Sequence, residues 1–389
     1  EGGIITIDGN GGLFNWTAGS VGGVINILEG ATLTAISDNQ KTLGAGTVVN
    51  NDGTIEWGGR YFYNYAYYPE QIATINNRSN AVFSVTTSGN VFEISYNSLI
   101  FNNEAGALFS KTESSETAHV RYTQFTNRGE IRSETGNLGI ETLILHDGSR
   151  FTGNGKITTA GDRVEVHGEV VADACAFIIQ DGVFHGESNA RLTTVNSGLF
   201  EWVAGSLSGN IHVTPESAVY LTSNNMKTFG PGLVFKNHGY LAWFDNSTLY
   251  NYAYDPIQRA TLENYGTFTI FGDGTMDYSY NASFLVNHED GIITKANGSN
   301  TTQINWECNN HGEIASGSGV LSLNNGGTSS GLFKSDADTG IQFNGGTHTL
   351  LDGSRFSGPI HLANGTVTRD GTLLSDEANP AALEILNGT

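Results

Sequence analysis

Two nearly identical stretches, YNYAYYPEQ at 63–71 and YNYAYDPIQ at 250–258, gather the side chains best suited to meet a ligand. Alternation along an extended segment places Tyr63, Tyr65 and Tyr67 on one side, and Tyr250, Tyr252 and Tyr254 likewise. A tyrosine ring joins an apolar face to a polar tip, which suits the faces and hydroxyls of a sugar. The competing expectation is a loop folded back to pack its rings over its own flank. Hydrolysis of a glycosidic bond needs two carboxylates about 5–10 Å apart. Asp245, Asp255 and Asp273, near the second stretch, are the candidates for that reading, but Gly58, Gly59 and Tyr68 stand near the matching places of the first. The ten histidines form no His-x-His or His-x-x-x-His pair, so neither a metal site nor a hydrolase triad is indicated. No metal and no cofactor are expected.

The elements that position these residues occur twice. KTLGAGTVVNNDGTIEW at 41–57 matches KTFGPGLVFKNHGYLAW at 227–243, FTNRGEI at 125–131 matches CNNHGEI at 308–314, and DGSRFTG at 147–153 matches DGSRFSG at 352–358. The chain therefore reads as one continuous solenoid over 1–389, with a first copy at 10–168, a joiner at 169–195 and a second copy at 196–371. The offset between copies grows near 322–352, as it would if the second copy had gained one whole coil, which a solenoid absorbs because each coil touches only its neighbours. The tyrosine stretches travelled with the copied unit.

Within each copy an apolar residue, any residue, then Asn, a short turn, Gly, any residue and an apolar residue recur. The successive Asn positions are Asn51, Asn77, Asn102 and Asn127, then Asn237, Asn264, Asn287 and Asn310. Apolar residues at alternate positions turn one strand face inward, Asn favours turns, and Gly is expected to supply positive φ. Asn residues at one corner of every coil can bond along the axis as stacked amides do. Coils of about 22–27 residues with two or three short strands fit an all-β, right-handed parallel β-helix. Cys308 takes the slot of Phe125 and is expected to be buried; a disulfide with Cys175 is not expected. The DGSRF arginines, Arg150 and Arg355, are expected to pair with Asp147 and Asp352, the competing reading being the base-type residue of a lyase, which their presence in both copies argues against. His238 and His311 are placed facing solvent in their turns.

Acidic residues outnumber basic ones 39 to 18, a net charge of −21, which repels phosphate backbones and excludes nucleic acid as a natural partner. No stretch approaches the ~20 apolar residues of a membrane helix. Runs such as GGTHTLLDGSRFSG, NNDGTIEW and LANGTVTRDGTLL resemble the Gly/Asn/Thr-rich repeats of bacterial surface and adhesin-type β-helices, within the broad pectin-lyase-like superfold. That resemblance implies an extracellular or cell-surface protein with a structural or adhesive role, whose partner is a carbohydrate or a cell-surface receptor. The same superfold hosts polysaccharide lyases and glycosidases, which keeps a polysaccharide-degrading enzyme as the alternative. EGGIITIDGN and NPAALEILNGT carry no evident cap, so flanking domains or end-to-end self-association are expected.

Overall fold

The computed structural model describes residues 3–336, 339–372, 374–375 and 382–385. The chain is all-β, its parallel strands stacked as a β-solenoid of about 16 turns. It divides into two compact units, Glu1–Ala190 with Thr194–Phe200 and Arg191–Thr193 with Glu201–Thr389.

In the first unit the register follows the inward apolar positions. Strands Val48–Asn51, Thr74–Asn77, Leu99–Asn103 and Thr123–Asn127 lie parallel, with Val49, Ile75, Phe101 and Phe125 aligned one above the other. The core is a close stack of rings: Phe83 lies on Phe109 at 5.2 Å and Phe101 on Phe125 at 4.7 Å, with edge contacts between the two pairs. Each fully buried ring contributes about 2–3 kcal/mol of transfer free energy. In the second unit Phe235, Leu262, Leu285 and Cys308 form the equivalent column.

Beside each column runs a ladder of buried amides. Asn51 Nδ2 donates to Asn77 Oδ1 (2.8 Å), Asn77 to Asn103 (2.7 Å) and Asn103 to Asn127 (2.7 Å). In the second unit Asn237 donates to Asn264, Asn264 to Asn287 and Asn287 to Asn310. The spare amide hydrogens reach backbone carbonyls, as in Asn77 to Leu108 (3.0 Å). Asn102 is not part of this ladder. Its neighbour Asn103 holds the corner, because Phe101 rather than Ile100 is the inward residue. Asn102 instead ends a second, half-exposed ladder, donating to Asn76, which donates to Asn50, which donates to Asn26. Another half-exposed ladder in the second unit links Asn364, Asn344, Asn324 and Asn305. Ladder partners are 23 to 27 residues apart at the buried corner and 19 or 20 apart in this last row, so the coils tighten there.

The corner glycines serve a different purpose from the one expected. Gly53 and Gly129 are not in the left-handed region. They are required by close approach: a Cβ on Gly53 would stand 2.4 Å from the Ala31 carbonyl oxygen, and one on Gly129 equally close to that of Ala107. The Arg150 guanidinium pairs with Asp173 one coil on, not with Asp147, whose Oδ1 accepts the Glu169 N–H at 3.0 Å. Asp147 thus ties its turn to the next coil.

Four lysines, Lys41, Lys111, Lys227 and Lys295, are fully buried. Each ammonium bonds backbone carbonyls at a bend, as Lys111 does with Glu113 (2.7 Å) and Thr135 (2.8 Å). Burial pushes the thiols of Cys175 and Cys308 up to about 12. Neither reacts appreciably in the native protein at pH 7.5 on this account. Iodoacetamide labelling followed by mass spectrometry should show both modified only after denaturation; rapid native labelling of Cys308 would contradict its place in the core.

Candidate functional site

Strand Phe62–Ala66 points Phe62, Asn64 and Ala66 inward and Tyr63 and Tyr65 outward. The chain then turns through Tyr67, Tyr68 and a single 3-10 turn, Pro69–Gln71. Gln71 Oε1 accepts the N–H groups of Tyr67 (2.8 Å) and Tyr68 (3.0 Å), fixing the bend. One coil later, strand Phe92–Tyr96 runs parallel to the first, with Ser95 opposite Tyr65 and Tyr96 opposite Ala66. Asn97 Nδ2 reaches back to the carbonyls of Ala66 (2.7 Å) and Tyr67 (3.2 Å).

Tyr96 takes φ +76°, a left-handed conformation that costs a bulky residue roughly 1–2 kcal/mol. The conformation turns its ring onto its neighbours. Tyr96 meets Tyr67 edge-on at 4.8 Å and Tyr65 at 5.6 Å, and Tyr67 meets Tyr68 at 4.7 Å, all near perpendicular. These four rings are exposed.

The second unit repeats the device. Strands Thr248–Ala253 and Thr275–Tyr280 pair, Tyr280 sits at φ +71°, and Asn281 Nδ2 bonds the carbonyls of Ala253 (2.9 Å) and Tyr254 (3.1 Å). Tyr280 meets Tyr252 at 5.2 Å and Tyr254 at 5.3 Å. All three are exposed, Tyr254 by 71%, and the adjoining Ile257 by 85%. A hydrogen bond to Tyr96 raises the Tyr65 hydroxyl above the usual tyrosine value, and one to Tyr280 does the same for Tyr252, so both stay neutral at ordinary pH.

Of the six tyrosines singled out by sequence, Tyr65, Tyr67, Tyr252 and Tyr254 join these clusters. Tyr63 and Tyr250 do not present free faces: each is half-buried and its hydroxyl is tied to Ser95 or Ser279 in the next coil. Alternation alone missed Tyr96 and Tyr280. The recurring SYN at 95–97 and 279–281 was the available signal.

The three carboxylates of the hydrolytic alternative have separate structural roles. Asp245 pairs with buried Lys227 (3.2 Å) and accepts from the Trp243 indole (3.1 Å). Asp273 pairs with buried Lys295 (2.7 Å) and accepts from Asn300 (3.1 Å), and these partners hold its carboxyl below the usual range against the opposing effect of desolvation. Asp255 caps the 3-10 turn Pro256–Gln258 by accepting the Ile257 N–H at 3.1 Å. Among the described residues no group of three His, Cys, Asp or Glu side chains is placed to hold a metal ion. His238 and His311 are half-buried rather than solvent-facing. His238 stacks on Tyr265 at 4.3 Å and Tyr265 on His288 at 3.8 Å, while His311 Nδ1 lies 2.9 Å from Ser330 Oγ.

No family model matches the chain, and no curated protein matches it. Among solved structures it is similar to the TibC-catalysed, hyper-glycosylated fragment of TibA. The identity is 10%, with 98% of this chain and 97% of that one covered, at a TM-score of 0.23. No described helix is long and apolar enough to cross a membrane.

Proposed function

We propose that this protein is an extracellular, adhesive β-solenoid segment that contacts carbohydrate through its two tyrosine clusters. The observation that carries the reading is the left-handed Tyr96 and Tyr280, each braced by the following Asn and each completing an exposed cluster of perpendicular rings. Strain of this kind is kept where the surroundings enforce it, and it clusters at sites that use it. An exposed set of rings gains nothing for the core. It offers apolar faces with neutral hydroxyl tips, the chemistry that packs against a sugar ring and bonds its hydroxyls. The surface is also suited to a neutral glycan, since the net charge of −21 disfavours polyanionic ones. A role in catalysis gains no support from Asp245 and Asp273, each paired with a buried lysine, or from Asp255, which caps its own turn.

The test is retention on an array of neutral and acidic glycans, comparing the parent with a variant that opens both clusters, Tyr67→Ala/Tyr96→Ala/Tyr254→Ala/Tyr280→Ala. This variant should keep its thermal unfolding temperature within a few degrees and lose roughly tenfold or more in affinity for the retained glycan, as expected for removal of ring contacts worth about 1–2 kcal/mol. Absence of any retained glycan, or undiminished retention by the variant, would rule the reading out.

A further inference from the structure

The outer face of the first unit carries a second feature, built from different residues. Strands Thr117–Val120, Asn137–His146 and Lys156–His167 stack in parallel, bringing His119, Gly139 and Thr158 into one outward row. The middle member has no side chain. A Cβ on Gly139 would stand 3.3 Å from His119 Nδ1 and 3.5 Å from Thr158 Oγ1, so the glycine leaves a notch between two polar walls. The cavity measures about 270 Å³. Asn137, Arg121, Glu141 and Gln180 close its sides. A register irregularity between Ile140 and Thr142 lets the strand swing out at Glu141, the way bulges re-aim side chains beside binding sites.

The polar atoms around this notch are incompletely paired. Asn137 Nδ2 donates to Thr158 Oγ1 at 3.1 Å, which fixes the amide, yet its Oδ1 is buried with no protein donor. Arg121 Nε is buried and ion-paired to Glu141 Oε1 at 3.0 Å, without the alignment of a hydrogen bond. A buried polar atom left without a partner costs stability, so a ligand that supplies a donor to Asn137 Oδ1 is favoured. The lining is neutral overall: Arg121 offsets Glu141, and burial followed by the charge of Arg121 holds the His119 imidazole below its ordinary value. An anion would face Glu141 and a cation Arg121. A group that both donates and accepts, without charge, fits the free Asn137 Oδ1 and the Arg121–Glu141 pair alike.

We propose that this notch is a binding subsite for one neutral, hexose-type sugar residue, with one hydroxyl donating to Asn137 Oδ1 and another accepting from Arg121. Gly139 is then the specificity-determining position, since any side chain there occupies the ligand's space. The subsite stands on its own residues and survives if the tyrosine clusters bind nothing.

The experiment uses the full chain in a Tyr67→Ala/Tyr254→Ala background, which weakens the tyrosine clusters, the alternative sugar contacts. Glucose, galactose, mannose and galacturonate are titrated while the imidazole C–H resonances of His119 are followed, assigned with a His119→Gln variant. At least one neutral hexose should shift the His119 resonances saturably, and galacturonate should do so at least tenfold more weakly. Gly139→Val, compatible with a strand, and Asn137→Leu, of similar size without the acceptor, should each reduce that affinity tenfold or more. Either variant alone suffices should the other fail to fold. Silence of His119 with all three neutral hexoses, tighter binding of the uronate, or unchanged affinity in a folded variant would overturn the proposal.

Discussion

Lys227→Met should destabilise the second unit by about 3–5 kcal/mol, the usual consequence of removing one partner from a buried ion pair. The ammonium is fully buried and bonded to the carbonyls of Ser223 (2.8 Å) and Asn225 (3.2 Å), to Asp245 Oδ2 (3.2 Å) and to Ser247 Oγ (3.3 Å). Desolvation lowers its pKa and the Asp245 charge partly restores it. Methionine fills the space of the alkyl stem but leaves a carboxylate only 9% exposed without its cation. The sibling position separates the two contributions. Lys41 bonds the carbonyls of Ser37 and Asn39 and has no carboxylate at bonding distance, so Lys41→Met should cost the smaller amount of leaving carbonyls unsatisfied, about 1–3 kcal/mol. Lys227→Met/Asp245→Asn should recover part of the loss. Urea unfolding followed by tryptophan fluorescence is suited to this, because the Trp243 indole donates to Asp245 (3.1 Å) and Ser247 (3.0 Å). Equal losses at Lys41 and Lys227 would show that the carboxylate is not what the lysine holds.

These lysines also show what the sequence displayed and what it hid. In KTLG and KTFG the lysine has the same parity as the inward Leu43 and Phe229, so its burial follows from strand alternation. A charged residue at such a position reads as an interruption unless one knows that a bend of carbonyls awaits it, and those carbonyls lie outside the strand pattern. The buried amide corner was legible because Asn recurs at a nearly constant interval after an apolar residue. It failed at Asn102, where FNN offers two asparagines and only the inward choice of Phe101 over Ile100 decides between them. The tyrosine stretches announced themselves by duplication, but which rings are free depends on partners about thirty residues away, such as Ser95 for Tyr63. The left-handed turn at Tyr96 has no compositional signal, since Tyr is among the last residues expected there. The stacked His238, Tyr265 and His288 were invisible to any short motif for a related reason. In a solenoid, lateral neighbours are one coil apart in sequence, and chemistry assembles across coils rather than along them.

The same geometry makes the protein sensitive to mild acid. His348 is buried, its Nε2 3.0 Å from the Gly345 carbonyl oxygen and its ring 4.6 Å from that of Phe343. Desolvation outweighs the carbonyl contacts and lowers its pKa from 6.5 to about 4. A histidine depressed on folding is protonated first in the unfolded chain. Stability is therefore undiminished above pH 6.5, falls as pH drops toward 4, and loses no more from this group below that. A change from 6.5 to about 4 corresponds to about 3 kcal/mol. His212, His238 and His288 are lowered chiefly by burial as well and act with the same sign below 6.5. Asp273 works in a different range: its carboxyl is depressed, so the stability it contributes is present above the ordinary Asp value near 3.8 and is lost only as pH falls further. The midpoint of urea unfolding should thus decline between pH 6.5 and 4.5 before the carboxylates titrate. His348→Gln, which cannot take up the proton, should flatten that decline by up to about 3 kcal/mol while costing some stability at pH 7.5. Parallel pH profiles for the parent and His348→Gln would mean that the imidazole finds a proton-accepting partner or solvent in the folded chain, and that its burial is not what sets the acid limit.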